Sequence, residues 1–131
     1  MVDVISVPES QPQVLNTDAG SRIRKLAAID IGTNSTHLLV AAVDTGLGTF
    51  NIEQAEKSTT RLGERDPETG ALTDAAMQRG LETLRRFCDL AASHAVEEVV
   101  TAATSAVREA PNGRDFLQVV NDELGLEVDL I

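Results

Sequence analysis

Residues 28–40 read Ala-Ile-Asp-Ile-Gly-Thr-Asn-Ser-Thr-His-Leu-Leu-Val, and this stretch contains two apolar runs separated by a polar turn. The first run, residues 25–31, is short and stops at Gly32, which is typical of a buried strand. Residues 33–35 have the composition of a turn, and residues 37–43 predict a second strand. Because the connection is short, we expect the two strands to pair antiparallel as a hairpin.

The sequence after this hairpin extends it into a larger sheet. Residues 49–60 predict a third strand, residues 97–102 a fourth and residues 126–131 a fifth, and two helical patterns separate the last three. The predicted order is β-β-β-α-β-α-β, with no internal repeat. Three strands joined by short turns and followed by two helical crossovers resemble a ribonuclease H-like lobe, the α/β unit of actin-like ATPases. We therefore expect one such lobe with a mixed five-stranded sheet.

The two main helical patterns carry end signals. Thr73 is the expected N-cap of the first helix, and Asn112 and Gly125 are the expected N-cap and C-cap of the second. Gly80 lies inside the first helix, where we expect it to allow close packing on the sheet. Residues 104–110, between the helices, predict a short turn or helical segment. The expected core faces are Met77, Leu81, Leu84, Cys88 and Ala91 in the first helix, and Phe116, Leu117, Val120 and Leu124 in the second.

The composition suits one domain. The chain has 131 residues, of which 42% are apolar and only 2% aromatic, so its core must rest on aliphatic side chains. Residues 1–22 are rich in Pro, Ser, Gln and Asp and predict a disordered leader before a single domain over residues 23–131. Within the leader, residues 4–7 are a weaker alternative edge strand. Cys88 is the single cysteine, which excludes an intramolecular disulfide, and we expect it to act as a small buried hydrophobe.

The formal net charge of −10 argues against a protein that holds nucleic acid through its overall field. A polyanionic substrate would therefore need local arginines, backbone amides or a divalent cation. No apolar stretch approaches the roughly 20 residues that span a bilayer, and the first residues do not form a secretory signal. We expect a cytoplasmic protein whose partners include neither nucleic acid nor a membrane.

The turn after the first strand has the chemistry of a phosphate site. Gly32 lets the backbone approach a ligand closely, and successive N–H groups in a tight turn can form an anion-binding nest. Residues 33–36 add hydroxyl and amide donors. Asp30 can hold a hydrated Mg²⁺, which would offset repulsion between phosphates and carboxylates. The alternative, on spacing alone, is an ordinary hairpin turn in which Asp30 bonds its own backbone.

Three segments of the chain resemble the exopolyphosphatase / guanosine pentaphosphate phosphohydrolase (Ppx/GppA) family. Residues 28–40 resemble its opening, residues 61–64 (Arg-Leu-Gly-Glu) its second block, and residues 103–110 (Ala-Thr-Ser-Ala-Val-Arg-Glu-Ala) its third. The first block alone is shared in looser form with sugar kinases, whereas the three together are specific. The resemblance runs from about residue 24 to the end of the chain.

The resemblance implies roles for individual residues. It places phosphate contacts at Gly32, Thr33, Asn34, Ser35, Ser105 and Arg108, and a metal ligand at Asp30. The alternative for Arg108 is a surface ion pair with Glu109 or Asp115. For Arg61, a solvated strand end is as good an explanation as a contact with the ligand, and His37 is better explained as a structural residue than as a catalytic one.

The resemblance also implies an activity. The parent enzyme would use Mg²⁺ and an in-line water to hydrolyse the terminal phosphoanhydride of inorganic polyphosphate or guanosine pentaphosphate, and the full-length protein would form a homodimer. The catalytic glutamate and the second lobe of the family would lie beyond Ile131. We therefore expect a truncated first lobe, with no catalytic residue of its own and little or no activity.

Three other functions are compatible with parts of this pattern. A sugar or acetate kinase lobe shares the Asp-x-Gly-Thr start but does not call for the segment over residues 104–108. A ribonuclease H-like nuclease needs several carboxylates at paired metals, and only Asp30 is clearly placed. A non-catalytic phosphate-binding or interaction module is the third, and self-association through an exposed apolar surface would indicate it.

Overall fold

A computed structural model describes residues 22–131 and builds them into one sheet with helices. The predicted leader over residues 1–22 and its alternative strand over residues 4–7 lie outside the described residues, except for Arg22. The elements are β1 (Ile23–Ile31), β2 (Ser35–Asp44), β3 (Thr49–Thr59), α1 (Asp74–Ser93), β4 (Glu98–Ala103), α2 (Ser105–Glu109), α3 (Gly113–Leu124) and β5 (Val128–Leu130).

The five strands form one mixed sheet in the order β3-β2-β1-β4-β5. β1 pairs antiparallel with β2, and β2 antiparallel with β3, with a register shift between Val40 and Ala41. β4 pairs parallel with both β1 and β5: the helices α2 and α3 connect β4 to β5, whereas β2, β3 and α1 lie between β1 and β4 in the chain. This topology confirms the predicted mixed five-stranded sheet, and the predicted short segment between the helices is α2.

The core lies on one face of the sheet, between the strands and the helices. In β1 the side chains of Ala27, Ile29 and Ile31 are buried in this core, whereas Ala28 projects from the other face and is exposed. Phe87 of α1 and Phe116 of α3 are among the largest fully buried side chains. Burying a phenylalanine stabilises the fold by about 1.5–3 kcal/mol, so these two rings hold the helices on the sheet.

The core face of α1 differs from the predicted one. The prediction is confirmed at Leu84 and Ala91, but Met77, Leu81 and Cys88 are only partly buried, at the margin of the face. The buried residues of the helix are Ala76, Gly80, Thr83, Leu84, Phe87 and Ala91. Met77, Leu81 and Cys88 each follow a buried residue by one position, so the predicted stripe is rotated relative to the true face. Of the buried residues that the prediction omits, Gly80 and Thr83 carry little apolar signal, whereas Phe87 carries a strong one. In α3, Phe116 and Val120 are buried as predicted, and Leu117 and Leu124 are partly buried.

Thr73, Asn112 and Gly125 all lie at the predicted helix ends, but the side chain of Asn112 does not cap its helix. Thr73 caps α1, since its hydroxyl accepts a hydrogen bond from the N–H of Ala76 at 3.0 Å. Gly125 caps α3 in the left-handed conformation at φ 71°. Asn112 makes no capping hydrogen bond; its amide instead pairs with the backbone of Leu72, accepting at 2.9 Å and donating at 3.2 Å. The side chain thus ties the start of α3 to the segment before α1.

Gly80 packs on a helix and not on the sheet as expected. A Cβ atom at this position would lie 3.1 Å from the ring of Phe116 in α3, closer than a comfortable contact. Cys88 is partly buried, and this burial is the main reason that the pKa of its thiol is raised. A thiol that stays protonated is a poor nucleophile, which agrees with a packing role.

Candidate phosphate-binding site

The turn between β1 and β2 is closed by its own backbone. The N–H of Gly32 donates to the carbonyl oxygen of Ser35 at 3.1 Å. A Cβ atom on Gly32 would lie 2.9 Å from that same oxygen, so a larger residue could not adopt this turn without moving the backbone. The glycine is therefore required by close approach within the hairpin.

Two backbone N–H groups at the tip of the turn are available to a ligand. Among the described residues, the amides of Thr33 and Asn34 have no hydrogen-bond acceptor, and both residues are exposed. The Gly32 amide is not available, since Ser35 accepts it. Exposed N–H groups on successive residues of a turn can together receive an oxyanion, so the donor set at this site starts with Thr33 and Asn34.

The segment after β4 reaches this turn from the side. The parallel register places Ala103 beside Ile31, so that β1 and β4 end together. The N–H of Thr104 then donates to the carbonyl oxygen of Ile31 at 3.3 Å, and the hydroxyl oxygens of Ser105 and Thr33 lie 3.3 Å apart. The structure therefore brings Ser105 into contact with the turn.

The segment after β3 supports the turn from the opposite side. The N–H of Arg61 donates to the carbonyl oxygen of Asn34, and that of Gly63 to the carbonyl oxygen of Thr33, both at 2.9 Å. A Cβ atom on Gly63 would lie 2.7 Å from the Thr33 side chain. These contacts hold the carbonyl groups of the two tip residues, whose N–H groups are available. Sequence reasoning did not single out Gly63, although a glycine beside a predicted site is a signal of close approach.

Glu64, the residue after Gly63, connects this segment to α1. It accepts hydrogen bonds from the Arg79 guanidinium at 2.9 Å and from the Thr73 hydroxyl at 3.1 Å. The bond from Arg79 is the largest reason that the pKa of Glu64 lies below its ordinary value of 4.5, and the bond from Thr73 comes next. The sequence does not single out Glu64 or Arg79, because they lie in different segments of the chain and only the fold brings them together.

Arg108 does not contact the turn. Its guanidinium donates to the main-chain oxygen of Ile131 and to a carboxylate oxygen of Glu109 at 3.4 Å. The ion pair with Glu109 is the alternative that the sequence left open, whereas Asp115 takes no part in it. Arg108 lies three residues after Ser105 on α2, close to the site along the chain.

Asp30 lies next to the turn on the half-exposed face of the sheet. Its neighbours in register are His37 on β2 and Ala102 on β4, and its carboxylate has no hydrogen-bond or ion-pair partner in residues 22–131. No group of three or more His, Cys, Asp or Glu side chains in the described chain could hold a metal ion. One free carboxylate suits Mg²⁺, which keeps several waters and takes its other ligands from substrate phosphates. Asp30 could therefore supply one protein ligand to a cation that also binds phosphate.

The described part of the chain has no helix with the length and apolar character to span a bilayer.

A model of the Ppx/GppA phosphatase family matches residues 39–131. Exopolyphosphatase 1 of Mycobacterium tuberculosis is 34% identical over 107 residues, which are 82% of this chain and 31% of the relative. A putative exopolyphosphatase of Haemophilus influenzae is 30% identical over 105 residues, which are 80% of this chain and 32% of the relative.

Solved structures show the same similarity. The Ppx/GppA family member of Aquifex aeolicus superimposes with a TM-score of 0.77 and 34% identity, over 83% of this chain and 35% of that one. An exopolyphosphatase of Cytophaga hutchinsonii gives a TM-score of 0.76 and 32% identity, over 82% of this chain and 34% of that one. This chain thus spans about a third of the length of these proteins.

These relatives do not favour the kinase-type alternative, and they confirm the actin-like, ribonuclease H-like fold expected from the strand order. The match covers most of the chain and includes the second and third of the segments that meet at the turn. The chain belongs to the Ppx/GppA phosphatase family.

Proposed function

We propose that this chain forms one wall of a site that hydrolyses the terminal phosphoanhydride bond of inorganic polyphosphate. The observation that carries the proposal is the convergence of three segments on one turn, at whose tip the N–H groups of Thr33 and Asn34 have no acceptor in residues 22–131. The names of the relatives support the substrate class, since several are exopolyphosphatases.

In this proposal the turn binds a phosphate group of the chain. The amides of Thr33 and Asn34 donate to its oxygens, and the hydroxyls of Thr33 and Ser105 add donors from the side. Fixed donors of this kind stabilise the charge that develops when a phosphoryl group is transferred, because they need no reorganisation during the reaction. Arg108 leaves its contact with Ile131 and adds a bidentate contact to the phosphate chain.

Asp30 is the residue that would hold Mg²⁺ in this site. The cation would neutralise phosphate charge and so weaken repulsion between the substrate and a protein whose formal net charge is −10. The role of Asp30 is to fix that charge at the end of β1, one residue before the strand ends.

Polyphosphate is favoured over guanosine pentaphosphate by the absence of a stacking surface in the described residues. The chain has no Trp or Tyr and three Phe. Phe87 and Phe116 are fully buried, and Phe50 lies on β3 at the far end of that strand from the turn. A guanine base would therefore find no exposed aromatic ring beside the site in residues 22–131.

The alternative is a non-catalytic phosphate-binding module, which is favoured by the lack of an assigned general base among the described residues. A general base contributes about 10²–10⁴-fold to the rate of such reactions. For this 131-residue chain we therefore expect binding of phosphate chains and little or no phosphate release. Homodimer formation and a cytoplasmic location of the full-length protein are further expectations.

Two measurements on the chain test the proposal. The first is a titration with tripolyphosphate and Mg²⁺, followed by amide NMR shifts; we expect the largest changes at Thr33, Asn34 and Ser105. The second is a colorimetric assay of phosphate release from long-chain polyphosphate. Shifts spread over the surface, with none at the turn, would remove the proposed binding site. Robust turnover would contradict the expected need for further residues.

A further inference from the structure

Arg79 of α1 makes three hydrogen bonds to the segment that supports the turn between β1 and β2 (residues 32–34, the proposed phosphate turn). Arg79 donates from Nε to the carbonyl oxygen of Thr60 at 2.9 Å and from Nη2 to that of Arg61 at 3.3 Å. The same Nη2 donates to the carboxylate of Glu64 at 2.9 Å. Arginine suits this set because its planar fork presents donors in fixed directions, which a lysine ammonium does not.

The groups that Arg79 holds are adjacent to those that contact the tip of the turn. The N–H of Arg61 donates to Asn34, and the N–H of Gly63 donates to Thr33. Arg79 is therefore linked through a single stretch of backbone to the two residues whose N–H groups are available to a ligand.

The backbone of Arg61 gives an independent reason to expect such a support. Its φ is +49°, in the left-handed region that is unfavourable for residues with a side chain. Conformations of this kind persist where surrounding contacts determine them, and they cluster at functional sites. Here the N–H of Arg61 is held by Asn34 and its carbonyl oxygen by Arg79.

The support is fixed to the start of α1. Glu64 also accepts a hydrogen bond from the Thr73 hydroxyl, and Thr73 in turn caps the helix at Ala76. One end of the network thus belongs to a helix of 20 residues, and the other lies against the turn.

We propose that Arg79 is a positioning residue that fixes the phosphate turn by holding the backbone of Thr60 and Arg61 and the side chain of Glu64. This inference rests on the proposed function, because positioning matters only if the turn binds phosphate. It adds a determinant that touches neither the substrate nor the turn itself.

The binding test compares Arg79→Met and Arg79→Lys with Arg85→Met in a tripolyphosphate titration followed by the NMR shifts of the Thr33 and Asn34 amides. Arg85 is a matched control, since it lies on the same helix and makes an exposed ion pair with Glu123. We expect Arg79→Met to weaken binding about tenfold, the equivalent of losing one to two net hydrogen bonds. Arg79→Lys should fall between, and Arg85→Met should bind like the unaltered chain.

Hydrogen exchange in the absence of ligand separates this inference from the proposed function. The N–H groups of Arg61 and Gly63 should exchange about tenfold faster in Arg79→Met, while those of the core strands stay unchanged. Glu64→Gln is a milder variant that keeps the carbonyl contacts, so it provides the same readout if Arg79→Met does not fold; a smaller acceleration is expected.

The outcomes are distinct. If the unaltered chain binds no tripolyphosphate at the turn, the proposed function fails whatever the exchange rates are. If it binds and the Arg79 variants bind equally well, or if the Arg61 and Gly63 amides exchange at unchanged rates, Arg79 does not position the turn.

Discussion

Gly63 contacts the turn between β1 and β2 at Thr33. Its N–H holds the carbonyl oxygen of Thr33, and its Cα lies so close that an added Cβ would meet the Thr33 side chain at 2.7 Å. The atom that would have to move belongs to a residue with a free amide and a hydroxyl beside Ser105. An alanine at position 63 would therefore require the Thr33 side chain to move.

Gly63→Ala tests this dependence. We expect tripolyphosphate binding to weaken by about tenfold and the free energy of unfolding to fall by about 1 kcal/mol, since overpacking displaces Thr33. Gly70→Ala is the control, because its φ of +76° makes alanine unfavourable although no atom lies within 4 Å of the new Cβ. NMR titration and urea unfolding measure the two effects. Equal loss of binding in both variants would show that general destabilisation is responsible.

Glu64 makes the stability of this region depend on pH. Hydrogen bonds from Arg79 and Thr73 hold its pKa below the ordinary value of 4.5 in the folded chain. The folded state therefore binds the proton less readily than the unfolded state, and stability is gained above the ordinary pKa. That contribution is lost as pH falls from 4.5 through the lowered pKa.

We predict that Glu64→Gln reduces the pH dependence of unfolding below pH 4.5, the ordinary pKa of the lost carboxyl. Urea unfolding of both proteins between neutral and acidic pH measures this change. Asp66 also has a lowered pKa, caused mainly by the N–H groups of Thr69 and Glu68, and it contributes equally to both proteins. Parallel curves for the two proteins would mean that Glu64 titrates without linkage to folding.

At the scale of the elements, Gly113 lies at the junction of α2 and α3. It has less room for a side chain than any other glycine in the described chain. A Cβ on Gly113 would lie 1.9 Å from the carbonyl oxygen of Val107. Because this clash is with backbone, rotation of a side chain cannot relieve it. Any other residue at position 113 would therefore force α2 or α3 to shift. This contact fixes where α2, and with it Ser105, lies relative to α3.

Gly113→Ala should lower the free energy of unfolding by about 2–3 kcal/mol, the upper range for overpacking. Gly125→Ala is the comparison, since that residue has a φ of +71° and no neighbour within 4 Å, and we expect it to cost about 1 kcal/mol. Thermal or urea unfolding measures both. A smaller loss for Gly113→Ala than for Gly125→Ala would indicate that the helices separate easily.

The same scale shows which features local sequence carries. The strands lie within a few residues of their predicted bounds, because most are apolar runs bounded by glycine or turn residues. The more polar β3 is indicated by Phe50 and Ile52, which alternate with polar neighbours. The predicted core face of α1 is displaced from the true one. Two of the buried residues that it omits, Gly80 and Thr83, give no apolar signal. The sequence predicts a capping role for the Asn112 side chain, because caps follow a local rule. Its hydrogen-bond partner in the structure is Leu72, 40 residues away.

The candidate site follows the same division between local and distant information. The turn and Ser105 were named from residue types and resemblance, and the structure places them in contact. The same resemblance indicates Arg108, whose contact with phosphate stays a prediction; its guanidinium donates to Ile131 and Glu109. The sequence does not indicate Arg79, because nothing within its helix distinguishes it from Arg85. Only the packing of α1 against its neighbours gives Arg79 three acceptors.

At the scale of the whole molecule, charge opposes the ligand that the turn is proposed to bind. The formal net charge is −10, and most of the described arginines are paired with carboxylates or carbonyl groups. A polyanion therefore meets a repulsive average field, which salt screens over about 10 Å at moderate ionic strength. Local donors and a cation at Asp30 are the available means of offsetting it.

We predict that Mg²⁺ strengthens tripolyphosphate binding at the turn and that Asp30→Asn removes most of this enhancement. Loss of a direct or water-mediated carboxylate contact should reduce affinity in Mg²⁺ by about tenfold, with little change in its absence. Calorimetric titrations with and without Mg²⁺ measure this, and Asp74→Asn at the exposed start of α1 is the charge-matched control. An equal effect of both substitutions would show that only net charge matters.

The position of β1 between β2 and β4 implies an order of assembly. The hairpin side of the turn forms from neighbouring residues, but Thr33 and Ser105 are 72 positions apart in the chain. Closing such a long loop is entropically unfavourable until distant strands have paired, so local hairpins form sooner. During folding we therefore expect the bare turn to exist first, and to acquire its neighbour from α2 only after the parallel half of the sheet has docked.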